Sequence, residues 1–427
     1  MVLRGLVVGD QPSPDISARS RQAGRALDVL NLLLSDVRYG LGAYLGVYLL
    51  TEHAWDQASI GAALSLGGLI GLISQTPLGL LIDAVQAKRA LLAGAIVVAT
   101  ATCLVIPLAP QFWPVAASAT IGALAGTAIS PTLAAISLGM VGPDRFARRA
   151  GRNEALFHLG NAVVNLIILA ISPLFGISVL FWVMAATGFA SALAVLAIPE
   201  RAIEPALARG FAPDVLDAVR NPPLWRILLR SRPMLVFAGC GALFHMANSS
   251  MLMLVAQKLA LQNIGWGIAL TAACAIAAQS VMIPTAALAG ARADAWGRRP
   301  LLFIAFVALT LRGALYTLSD HPVWLIGVQV LDGLGAGLIG ALFPVVVADL
   351  TRGAGHFAAA QGAVGTVHAM GGILGSTLAG FIVVHAGYDM AFVTLSGIAG
   401  IGAVLFWAAM PETRPMLDTS CAEGVSA

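Results

Sequence analysis

Long apolar runs alternate with short polar breaks along the whole chain. The runs cover 27–50, 57–82, 88–109, 113–141, 152–172 and 174–198, and then, after a polar stretch, 233–256, 265–290, 299–319, 322–349, 357–385 and 388–410. A helix of about 20 apolar residues crosses a hydrocarbon layer roughly 30 Å thick. Only helices and closed barrels satisfy their backbone groups in lipid. Barrel strands are about 10 residues long and alternate apolar with polar positions, and these runs are too long and do not alternate. The pattern predicts an all-α membrane protein with twelve transmembrane helices, designated spans 1 to 12 in the order above.

The polar breaks repeat. Gly290–Arg299 reads GARADAWGRR, and a degraded echo about 210 residues earlier, Gly79–Arg89, reads GLLIDAVQAKR. Pro-Glu-Arg at 199–201 and Pro-Glu-Thr-Arg at 411–414 close spans 6 and 12 alike, and His158 and His368 each fall about two turns into spans 5 and 11. One half is therefore written twice. The expected organisation is two pseudo-symmetric six-helix bundles, 27–198 and 233–410. A tail at 1–26, read as disordered, a linker at 199–232 and a second tail at 411–427 complete the chain.

Charge orients this arrangement. Charged residues are 11% of the chain, against roughly 25% in soluble domains, so their placement carries information. Of 24 lysines and arginines, 21 fall in the tails, the linker and alternate loops; the others are Arg38 and Arg312, within spans, and Lys258, in a loop on the other side. Basic loops stay on the cytoplasmic side, which puts both termini in the cytoplasm and the protein in the plasma (inner) membrane. A different span count would scramble the asymmetry. Residues 1–26 lack the apolar core of a cleavable leader. In the linker, Asp214–Arg220 and Leu224–Arg230 are set between prolines as short amphipathic surface helices. The net charge of +3 is too small to suggest nucleic acid. Cys103, Cys240, Cys274 and Cys421 show no metal or redox spacing.

The pattern G-x-x-x-D-x-x-G-R-R in these loops resembles the signature of the major facilitator superfamily of transporters, found between helices 2 and 3 and again between 8 and 9. The second copy is complete in Gly290, Asp294, Gly297, Arg298 and Arg299. The first keeps Gly79, Asp83, Lys88 and Arg89, with Gln86 and Ala87 where the pattern has Gly and Arg. The resemblance spans about 27–414. It implies alternating access, with Asp83 facing the start of span 11 and Asp294 the start of span 5. These contacts would close the cytoplasmic side, with Gly79, Arg89, Gly290, Gly297, Arg298 and Arg299 in the same gate. An Asp suits the positive N-terminus of a neighbouring helix.

Ionisable groups inside the spans are the candidates for chemistry, because a charge at mid-bilayer costs about 2.5–3.5 kcal/mol and needs a partner or a wet cavity. Span 1 carries Asp36 and Arg38. Their spacing points them to different faces; Arg38 could hold an anionic group and Asp36 a proton. Span 7 carries His245 and Asn248. Arg312 in span 9 and Asp332 in span 10 lie within about 6 Å in depth, which allows either an ion pair or a proton-carrying Asp332. His158 and His368 could face each other across the symmetry axis, or each make an interhelical hydrogen bond. Arg152 and Glu154 are expected against the loop signature, and Asp349 in the gate. Gly371 and Gly375 fit small-residue packing.

No P-loop, G-x-S-x-G or HExxH occurs, so neither ATP drive by this chain nor a catalytic constellation is expected. The reading is a non-enzymatic secondary transporter without cofactor or metal, a monomer in the lipid bilayer. It would export a small polar or amphipathic organic solute, negatively charged where it meets Arg38, in exchange for protons. Span 4 has no interior arginine and span 5 no G-x-x-x-G-P, which weakens the analogy to drug–proton antiporters. The rivals are proton-coupled uptake and a non-transporting receptor that kept the fold.

Overall fold

The computed structural model describes residues 14–35, 37, 42–176, 178–211, 223–262 and 267–414, and among these every regular element is a helix. Spans 2 to 6 are the helices Gln57–Ala84, Lys88–Leu108, Phe112–Val141, Pro143–Phe175 and Val179–Leu196. Spans 7 to 10 are Arg232–Gln262, Gly267–Trp296, Arg298–Leu315 and Pro322–Leu350. Spans 11 and 12 form the 53-residue element Phe357–Ala409, broken at Gly387 (φ 85°). Only glycine adopts this backbone without strain, so one residue turns the chain between the two spans. Of span 1, Pro14–Leu33 and Gly42–His53 are described as helices. Among the described residues eight helices, counting Phe357–Ala409 once, are long and apolar enough to cross a membrane. The architecture is the expected all-α one, with twelve spans in two six-helix bundles.

Three boundaries differ from the sequence reading. The first helix begins at Pro14, so residues 14–26 of the stretch read as a disordered tail are helical. Span 5 begins at Pro143 rather than near 152. Its first turns carry Arg145, Arg148, Arg149 and Arg152, which end an apolar run without ending a helix, and Pro is well placed as a first helical residue. Lys258 lies within the span 7 helix rather than in a loop. In the linker, Leu224–Arg230 is a helix, while 214–220 falls outside the described residues.

The loops carrying the two signatures lie at one end of the bundle, the signature side. Small residues let the helices approach. A Cβ added to Gly371 or Gly375 of span 11 would meet the Ala242 or Met246 carbonyl oxygen of span 7 at 2.2 and 2.0 Å. At the far end Lys258, itself buried, holds Asp320 at 2.5 Å and Asp389 at 2.8 Å. That staple ties span 7 to the loop before span 10 and to the start of span 12. The two halves meet along two seams, span 2 against span 11 and span 5 against spans 8 and 10.

Candidate gate and transport cavity

The span 2–span 11 seam is closed by a borrowed helix cap. The first amides of a helix have no partner inside it. Span 11 starts at Phe357, and the Asp83 carboxylate, buried at the end of span 2, accepts from the Ala358 N–H at 3.0 Å and the Ala359 N–H at 2.9 Å. Gly79, one turn back, lies so close that a Cβ would stand 2.5 Å from the Ala358 carbonyl oxygen. Further along, Gly362 of span 11 lies over the Gln75 carbonyl, where a Cβ would be 2.2 Å away.

The loop behind Asp83 is clasped in the same way in both halves. Lys88 Nζ donates to the Ile82 carbonyl at 2.7 Å, and Arg298 donates to the equivalent Ala293 carbonyl at 3.0 Å. Arg89 pairs with Glu200 at 2.7 Å, and Arg298 and Arg299 donate their backbone N–H groups to Glu412 at 2.8 and 3.1 Å. The two Pro-Glu repeats are thus the partners of the two signatures. Gly297 (φ 88°) sits at the entry to span 9, leaving its first amides to Glu412. Burial works to raise the Glu412 pKa, but the N–H groups of Arg414, Arg298, Arg299 and Thr413 outweigh it and hold the carboxyl below its ordinary range. Asp349 joins this cluster, accepting from Arg298 Nε at 3.0 Å.

Asp294 does not repeat the role of Asp83. It is half exposed and pairs with Arg298 at 2.7 Å. The reason is the early start of span 5. Gly290 packs backbone to backbone on Gly151 and beside the Ala147 carbonyl, which lie within span 5, where the amides are already bonded. At the level of Gly290, span 5 presents its flank rather than a bare N-terminus. The degraded copy of the signature carries the cap and the complete copy does not.

Above the closed seam a cavity of about 490 Å³ lies between the halves. Asn31, Gln75, Asn153 and Glu154 line it from one half, and His245, Gln361 and His368 from the other. A second cavity of about 500 Å³ within the first half shares Gly126 and Thr127 with it and is walled largely by apolar side chains. Span 5 supplies most of the surrounding polar contacts. Arg149 Nε and Asn31 Nδ2 donate to Asn153 Oδ1 at 2.6 and 3.1 Å, and Asn153 Nδ2 donates to Ser137 at 2.8 Å. Arg152, expected at the loop signature, instead pairs with Asp28 of span 1, as does Arg149. Glu154, also expected there, faces the cavity, with one carboxylate oxygen 2.6 Å from where a Cβ on Gly340 of span 10 would stand. Asp36 and Arg38 lie outside the described residues.

The two repeated histidines have different partners. His158 Nδ1 donates to Gln279 Oε1 at 2.9 Å across the span 5–span 8 seam, and its Nε2 is 3.6 Å from Glu154. His368 packs on His245 with ring centroids 5.0 Å apart, between Phe237 and Phe343. His245 and His368 line the cavity; His158 does not.

Arg312, Asp332 and Asn248, expected at the cavity, form a separate buried cluster inside the second half. Arg312 donates to Asp332 at 2.6 Å, Asn248 at 2.7 Å, Tyr316 at 2.8 Å and Gln329 at 3.3 Å. None of the five lines either large cavity. The cation finds its ligands within its own bundle and has no need of a wet wall.

The pattern described as Major Facilitator Superfamily matches this chain twice, over residues 29–288 and 238–420. The chain belongs to the major facilitator superfamily. Two relatives in this superfamily, each an "uncharacterized MFS-type transporter" of Mycobacterium tuberculosis (strains CDC 1551 / Oshkosh and ATCC 25618 / H37Rv), are 47% identical over 392 residues, 92% of this chain and 94% of theirs. Among solved structures, the MFS proton:xylose symporter XylE bound to 6-bromo-6-deoxy-D-glucose superposes with a TM-score of 0.72 at 14% identity, covering 93% of this chain and 97% of that one; at that identity the likeness concerns the fold. This facilitator is accordingly a multi-pass membrane transporter.

Several residues of the facilitator's polar framework were visible in the sequence without a role. Gln279, Tyr316 and Gln329 are polar positions within apolar runs. Such a residue signals that a partner exists on another helix, and which one depends on helix rotation that the sequence does not display.

Proposed function

We propose that this facilitator moves a small polar or amphipathic organic solute across the plasma membrane by alternating access, with export driven by protons. The observation that carries the reading is the 490 Å³ cavity, walled by both halves and sealed beneath by the Asp83 cap. By the charge rule the signature side and both termini face the cytoplasm, so this conformation is closed inward. Glu154, His245 and His368 put groups able to take up protons in the wall. An anion held by Arg38 was the sequence expectation; the wall among the described residues instead offers one carboxylate and two imidazoles, which suits a neutral or weakly basic solute.

The test uses proteoliposomes with an imposed proton gradient and an internal pH dye, challenged with a defined mixture of small organic solutes analysed by mass spectrometry. Export predicts one solute accumulating in inside-out vesicles when their lumen is acid, with coupled proton movement lost in Glu154→Gln. Accumulation only in right-side-out vesicles with acid outside would instead establish uptake. Saturable binding with no flux in either orientation would point to a receptor.

A further inference from the structure

The linker between the halves begins with a segment that is bound at both ends. After span 6 the chain makes a short 3₁₀ turn at Glu200–Ala202 and a four-residue helix at Pro205–Ala208. Glu204 donates its N–H to the Gly139 carbonyl at the end of span 4, at 3.0 Å. Ala208, fully buried, fills the hollow over Gly139, where an added Cβ would stand 2.9 Å from it. This end belongs to the first half.

The other end reaches the second half. Gly210 (φ 87°) turns the chain, and its carbonyl accepts from Gly353 N–H at 2.7 Å, while the Arg209 carbonyl accepts from Phe357 N–H at 3.3 Å. Phe211 is buried with its ring against Gly355; a Cβ there would be 2.4 Å from the ring. The Arg209 guanidinium lies over that ring, 5.1 Å from its centroid.

These contacts complete the cap of span 11. Its first three amides, Phe357, Ala358 and Ala359, bond to Arg209, Asp83 and Asp83 in turn. All three acceptors come from the first half or from the segment attached to it. The cap of span 9 differs, because its acceptor, Glu412, comes from the same half.

We infer that residues 203–211 are a latch: Arg209, Gly210 and Phe211 are positioning residues that hold the signature side shut together with Asp83, and they must release loop 353–357 each time that side opens. The inference rests on the alternating-access reading above. Removing the Phe211 ring takes away a large side chain that the segment seats in the second half, and raises the share of the open state by about tenfold, a small step on the scale of conformational equilibria.

The experiment places nitroxide labels at Gln86 and Arg352 of the full-length protein in nanodiscs and measures their distance distribution. The parent, Phe211→Ala, Asp83→Asn and Phe211→Leu are compared, alongside hydrogen exchange of the amides at 357–359. The latch predicts a longer distance and faster exchange at 357–359 in Phe211→Ala, with recovery in Phe211→Leu, and an unchanged melting temperature for the spans. If Asp83→Asn lengthens the distance and Phe211→Ala does not, the latch is overturned and alternating access stands. If neither variant lengthens it under any gradient or pH, opening at this seam is overturned along with the latch.

Discussion

Asp332→Asn tests the buried Arg312 cluster most directly. Arg312 is 1% exposed and the Asp332 side chain 8%, so the substitution leaves a cation in the bundle with neutral ligands only. At an effective dielectric near 20, two unit charges about 4 Å apart attract by ~4 kcal/mol. Breaking one partner of a buried pair costs about 3–5 kcal/mol, because the survivor stays uncompensated. Tyr316, Asn248 and Gln329 still solvate the guanidinium, which places Asp332→Asn at the lower end of that range. Arg312→Met strands the carboxylate and belongs at the upper end unless Asp332 takes a proton. The double variant removes both charges, so its loss should fall short of the sum of the singles by about 2 kcal/mol, within the usual coupling of contacting residues. Unfolding by dodecyl sulfate in mixed micelles, followed by far-UV helicity, gives all four corners of this cycle. Singles that add to within about 0.5 kcal/mol, or an Asp332→Asn variant as stable as the parent, would refute a tightly coupled pair.

The gate should be lopsided. Asp83→Asn keeps at most one of two charge-assisted cap bonds and should favour the inward-open state, whereas Asp294→Asn, half exposed and paired with Arg298, should change stability by no more than about 0.5 kcal/mol; alkylation of a cysteine introduced at Gln75 reads the difference. Gly362→Val should block closure, since even its Cβ would lie 2.2 Å from the Gln75 carbonyl oxygen, and the same alkylation should then run at its maximal rate with transport lost. Glu412 carries the pH prediction. Its carboxyl is held below the ordinary range by N–H donors, so its contribution is fully present above the unfolded value of about 4.3 and fades as pH falls through the lower folded value. The melting temperature of Glu412→Gln should therefore lie below that of the parent at neutral pH and converge with it in strong acid; a constant gap across that range would contradict the assignment.

The span pattern was legible because lipid imposes it: every backbone group must be satisfied within the helix, and apolar length follows. Even the hairpin between spans 11 and 12 was readable to a residue or two, since the two runs end and begin around Gly387. What the sequence hid was relative placement. The complete signature around Asp294 pointed to a cap, yet span 5 starts nine residues before its apolar run, and so the bare amides are elsewhere. Arg312 and Asp332 matched in depth, but depth alone did not say whether they faced a cavity or the inside of a bundle. Residues 203–211 form no apolar run at all, and the burial of Ala208 and Phe211 arises from hollows that glycines at 139 and 355 leave in distant parts of the chain.

The single-residue turn at Gly387 has a mechanical meaning. Span 11 starts at the cap made by Asp83, and span 12 finishes at the carboxylate that seats the first turn of span 9. Both ends of one hairpin, turned at a single residue, therefore rest on the two signature corners. If this side opens as proposed, a tilt that frees one corner would be carried as a lever stroke to the other, and a fluorophore at the end of span 12 would register departures from the cap at Phe357 that it never touches.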